Sequence, residues 1–116
     1  MSVSSEKAFD LLPSFTEIYD KLDINTFREN LAKETEGKTN ISKKLVGIDL
    51  FKYILKNSPK VKEEVFEIVS VFEEKTIEEV KEQSFMLTIN TLRKIFTDTE
   101  TTDFLGLAMQ LDTPKA

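Results

Sequence analysis

Histidine, cysteine and tryptophan are missing from this 116-residue chain. Without histidine, the usual nucleophile–base pairs, imidazole metal ligands and proton relays cannot be built. Without cysteine there is no disulfide framework and no thiol chemistry, which fits a reducing compartment. Glycine and proline number three each, so helices meet few interruptions. Gly37, Gly47 and Gly106 stand alone, so neither a phosphate-cradling loop nor a dinucleotide fingerprint can form. Ser14, Ser58 and Ser84 have no histidine partner and no G-x-S-x-G elbow around them. The first residues lack a basic stretch leading into an apolar one, so no signal peptide is expected. No apolar run approaches the roughly 20 residues needed to cross a bilayer.

What is present is a helical body with a polarised charge distribution. Hydrophobic residues make up 40% of the chain and include nine Phe, enough for a core. Charged residues at 32% supply a solvated exterior. A net charge of −5 and a pI near 4.8 give no general attraction to nucleic acid or to membrane surfaces. At this length one domain is expected over 1–116, with residues 1–5 and 112–116 frayed.

The apolar spacing predicts an all-α bundle of five to six helices. The first carries Ala8, Leu11, Leu12, Phe15, Ile18, Tyr19 and Leu22; Pro13 either kinks it or opens its main part. Asp23 or Asn25 caps a short second helix with Phe27 and Leu31, which fades into a polar loop from Glu34 to Asn40. Ser42 caps a third helix that is apolar around most of its circumference, the mark of a central element. Ser58 and Pro59 suit the start of a fourth, with Val61, Val65, Ile68, Val69 and Phe72 inward and Glu63, Glu64 and Glu67 mostly outward. Thr76 and Glu79 form a capping box for a fifth. Phe85, Ile89, Leu92 and Phe96 continue its stripe out of phase, which implies a break near Gln83-Ser84 or a wide buried face; a short strand through Phe85, Leu87 and Ile89 is the less favoured alternative. After a polar turn from Thr97 to Thr102, the segment Phe104 to Leu111 reads as a last short helix.

The paired carboxylates Glu63/Glu64, Glu73/Glu74 and Glu78/Glu79 sit on faces expected to be solvated, where nothing shifts them toward acid–base work. They show no ordered oxygen-ligand spacing for a metal, and neither metal nor cofactor is expected. Charge order is more informative. Residues 38–62 hold seven lysines against one aspartate, a net +6; residues 63–82 hold eight glutamates against two lysines, a net −6. Such blocks either screen one another across neighbouring helices or dock copies and partners through complementary fields. On the docking reading the partner-binding residues are Lys52, Lys56, Lys60 and Lys62. Phe104, Leu105 and Met109 either close the core or offer a partner a deformable apolar surface.

Two stretches carry a family likeness. One is Ala8-Phe9-Asp10-Leu11-Leu12-Pro13, continuing through Ile18 to Lys21-Leu22-Asp23-Ile24. The other runs from Leu50 through Lys56-Asn57-Ser58-Pro59-Lys60-Val61 to Glu63-Glu64-Val65. Together they resemble the tail assembly chaperones of long-tailed phages and prophages of Gram-positive bacteria, over most of the chain from Ala8 to about Phe104. The resemblance lies in helical pattern and short strings, with no catalytic signature.

The resemblance implies a small helical protein that is not an enzyme. Such a protein binds the tape measure protein and keeps it soluble until tail-tube protein polymerises around it. It works in the cytoplasm of the bacterial host and is absent from the mature virion. The family commonly makes a second, longer product by frameshifting, whose extension recruits tail-tube protein; this chain corresponds to the short product. Two readings from other classes stay open. One is a helical adaptor or regulator, as a single copy or a dimer (a homo-oligomer), with one defined partner at fixed stoichiometry. The other is a nucleic-acid-binding regulator built on the basic block, disfavoured because that block has no arginine and its aromatics belong to the most apolar helix.

Overall fold

A computed structural model describes residues 4–36, 43–98, 101 and 104. Among them are six α-helices and no strand, and the architecture is an all-α bundle. The helices are α1 (Ser5–Lys21), α2 (Ile24–Thr35), α3 (Lys43–Lys56), α4 (Lys62–Glu73), α5 (Ile77–Glu82) and α6 (Phe85–Thr97). A 3-10 turn, Ser58–Lys60, joins α3 to α4.

Local chemistry sets most boundaries. The Ser4 side chain accepts from the Lys7 amide, so α1 starts inside the stretch expected to fray. It then runs unbroken through Pro13. Proline in a helix interior removes one backbone bond. Pro13 faces solvent, where water can serve the carbonyl four residues back. Asp23 caps α2 by accepting from the Thr26 amide. The Tyr53 hydroxyl donates to the Asp23 carbonyl at 2.7 Å and ties this corner to α3. Pro59 lies in the 3-10 turn, and α4 starts only at Lys62, with Val61 at its cap. Glu74 ends α4 in the left-handed region, φ 55°, where glycine is the usual residue.

The capping box at the head of α5 is complete. The Thr76 hydroxyl accepts from the Glu79 amide at 3.1 Å, and the Glu79 carboxylate accepts from the Thr76 amide at 3.0 Å. The bond from the Thr76 amide, helped by the Thr76 side chain, favours the ionised carboxylate and holds Glu79 below the ordinary carboxylate range. Thr76→Ala should cost about 1 kcal/mol of stability, read by urea denaturation. The phase slip in the sequence is a break: α5 ends at Glu82, and Ser84 caps α6 through the Leu87 amide.

One core gathers Leu11, Phe15 and Ile18 of α1, Val46, Leu50, Phe51 and Ile54 of α3, Ile68 and Val69 of α4, Val80 of α5, and Leu92, Ile95 and Phe96 of α6. Helix α4 lies between two neighbours: α1 on one side, α5 and α6 on the other. Helix α3 packs on α6 and carries α2. The centrality expected of α3 is therefore shared with α4. The expected cap Ser42, the polar segment after Glu36, Leu105, Met109 and the rest of the last expected helix lie outside the described residues.

Candidate functional site: an apolar groove between α3, α4, α5 and α6

The break between α5 and α6 has a geometric consequence. Helix α5 is too short to cover α4 and α6 together, and an open groove of about 430 Å³ remains. Its walls are Ile54 and Leu55 of α3, Val65 and Phe66 of α4, Val80 of α5, and Phe85, Ile89 and Leu92 of α6. Pro59 and Ser58 of the 3-10 turn close one end. The charged residues on its lining are Lys62 and Lys81, with no carboxylate among them. Lys81 lies 5.7 Å from the centre of the Phe66 ring and 3.4 Å from a Glu63 oxygen, which fixes its stem over the apolar floor.

At the groove mouth, the first turn of α6 places three large apolar side chains in solvent. Phe85 is 72% exposed, Met86 62% and Leu87 43%. This corrects the expectation that Phe85 continues the buried stripe. Three consecutive residues span most of a helical turn, so a helix that buries Leu92, Ile95 and Phe96 cannot bury all three. The run Phe85-Met86-Leu87 behind a capping serine was the signal available in the sequence. Phe9 on α1, 74% exposed, is a further large apolar side chain in water among the described residues.

A polar network holds the α5–α6 corner that shapes this groove. Gln83 Nε2 donates to Glu73 Oε2 at 3.2 Å and to Thr88 Oγ1 at 2.9 Å, and Lys75 Nζ donates to Gln83 Oε1 at 2.9 Å. The Lys75 ammonium also lies 3.2 Å from Glu73 Oε1 without hydrogen-bond alignment. Burial pushes Glu73 upward, but its polar contacts with Thr91, Lys75 and Gln83 and the Lys75 charge outweigh it and leave the carboxyl below its ordinary value of 4.5. A lowered folded-state value means that the unfolded chain binds the proton more readily. The stability from this group is therefore present above pH 4.5 and is lost as the pH falls through the lower folded-state value. Glu73→Gln should flatten the acid limb of a melting-temperature profile below pH 4.5 and leave its neutral part changed only by a constant offset.

Glu64 departs from the solvated face expected of it. It is 6% exposed, and its Oε2 accepts from Lys21 of α1 at 2.8 Å. Its Oε1 is buried without a hydrogen-bond partner. The bond and the pair's charge raise the Lys21 ammonium above its ordinary range, against a smaller opposing effect of desolvation. Ser14 Oγ donates to Glu67 Oε2 at 2.8 Å in the same interface. These contacts fix how α1 lies on α4.

The predicted partner-binding lysines fall in separate places. Lys62 lines the groove. Lys52 and Lys56 flank a smaller hollow of about 200 Å³ between α2 and α3, beside Phe27, Tyr53 and Asp49. Lys60 is exposed on the 3-10 turn and lines neither. Among the described residues, the acidic block takes its ion-pair partners from Lys21, Lys75 and Lys81, and these four lysines enter no ion pair. Among the described residues, no ion pair joins the two charge blocks. Phe104 is half-buried and packs edge-on against Phe15 at 5.7 Å. Its ring belongs to the core edge rather than to an open apolar surface.

The chain matches no protein-family model, no curated protein and no solved structure. Among the described residues no group of three or more acidic side chains is placed to hold a metal ion, and no helix is long and apolar enough to cross a membrane.

Proposed function

We propose that the protein is a tail assembly chaperone of a long-tailed phage or prophage, which binds the tape measure protein through helix-in-groove contacts and performs no chemistry. The observation that carries this reading is the open apolar groove with Phe85, Met86 and Leu87 exposed along its mouth. A patch of this kind, rimmed by lysine, suits the apolar face of a client helix. Methionine at the mouth suits a client whose sequence varies along its length, because its side chain repacks at low cost. The two stretches that resemble the family support the same reading. One of them, Leu50 to Val65, contains the groove residues Ile54, Leu55, Lys62 and Val65.

On this reading the protein acts in the host cytoplasm, leaves before the virion is complete, and shares its N-terminal sequence with a longer product that engages tail-tube protein. Co-expression with the tape measure protein of the same phage or prophage should move that client from the insoluble to the soluble fraction. A client that stays insoluble, or is equally soluble without this chain, removes the reading. The groove also fits an adaptor that holds one defined helix. The two differ in stoichiometry: many copies per client for the chaperone, one for the adaptor.

A further inference from the structure

We infer that in the client-free protein the groove is occupied by the start of α1 from a second copy of this chain, with Phe9 as the inserted side chain.

The outer face of α1 is unlike the other surfaces. Residues three and four apart share a helix face. Glu6, Phe9, Asp10, Pro13, Glu17 and Asp20 therefore form one stripe, and all of them are exposed. The stripe is acidic throughout, with a single large apolar side chain set between Glu6 and Asp10. Leu11, Ser14, Phe15 and Ile18 form the opposite face and are buried. The groove is the complement of this stripe. Its floor is apolar, through Leu55, Phe66 and Ile89, and its charged lining is Lys62 and Lys81. An aromatic knob flanked by carboxylates meets an apolar cleft whose charged lining is two lysines. Lys62 has no ion-pair partner among the described residues and Lys81 is shared with Glu63, so charge and surface are complementary.

A molecule cannot make this contact with itself. The Lys21–Glu64 and Ser14–Glu67 bonds hold α1 on one side of α4, while Val65 and Phe66 face the groove on the other. The acidic stripe lies on the solvent side of α1, with Phe9 exposed. The contact is therefore between two different surfaces on two copies, a head-to-tail arrangement that leaves one knob and one groove unfilled at the ends. Two turns of one helix in a cleft bury less than the about 1,200 Å² of a stable complex, so association is weak and grows with concentration. Client helices and Phe9 compete for one groove, but self-docking needs no client, and its test is made without one.

The test uses the purified full chain in sedimentation velocity over a concentration series at low and high salt. The mean mass should rise with concentration above the 13.3 kDa of one copy, and less so at high salt. Phe9→Asp removes the knob. Phe85→Asp combined with Lys62→Glu spoils the groove. All three positions are exposed, and circular dichroism checks that each variant stays helical. Each variant alone should remain a single copy. An equimolar mixture should form a one-to-one dimer and nothing larger, because it holds one intact knob and one intact groove. A wild-type chain that stays monomeric at millimolar concentration overturns the proposal. So does a Phe9→Asp chain that associates like the wild type, or a mixture that stays monomeric.

Discussion

Replacing Phe96 with alanine should cost about 3–5 kcal/mol, a large part of the roughly 5–15 kcal/mol that holds a domain of this size together. Phe96 lies in the last turn of α6 and is fully buried. Its ring meets Phe15 of α1 edge-on at 6.4 Å and lies 6.3 Å from Phe51 of α3. Phe15 continues the series to Phe104. One side chain thus joins three helices that are distant in sequence, and no neighbour can swing in to fill its volume without leaving its own contacts. Urea unfolding followed by circular dichroism measures the loss. A cost near 1 kcal/mol would mean that the site collapses around the smaller residue, and that the aromatic cluster is not what fixes α6 between α1 and α3.

Phe85→Asp should behave in the opposite way. Its side chain is largely in water, so little packing is lost. The position also lies in the first turn of α6, where a carboxylate gains about 0.3–1 kcal/mol from the helix dipole. Stability should therefore hold or rise slightly. Client affinity should fall at least about tenfold, the effect expected when an aromatic anchor is removed from an interface. Unfolding and client capture, measured on the same preparation, separate the two effects. An unchanged affinity would show that the client does not use this groove. A parallel loss of stability and affinity would show that Phe85 acts through the fold.

The helices were legible because their signals are local. Thr76 and Glu79 announce a capping box three residues apart, Asp23 announces the α2 cap, and the phase slip at Gln83-Ser84 announces the α5–α6 break. Ser4 was harder, because the helix it caps starts ahead of the apolar stripe and contains a proline. Glu64 was illegible for a different reason. It is buried because Lys21, 43 residues earlier, reaches it across the α1–α4 interface. Nothing on the α4 stripe itself encodes that partner. The groove needed the same non-local information. Periodicity says which side of each helix is apolar and the two signals bound α5, but neither says that an α5 of six residues leaves α4 and α6 uncovered between them. The charge blocks were read correctly as blocks. Among the described residues, the ion-pair partners of the acidic block are Lys21, Lys75 and Lys81, lysines outside the basic block.

The most direct test of the chaperone reading is the mass of the complex formed with the cognate tape measure protein, measured by light scattering on material purified through a tag on the client. The account predicts a soluble complex with many copies of this 13.3 kDa chain on each client, reduced to free client aggregates by Phe85→Asp. One copy per client, or no complex at all, would contradict it.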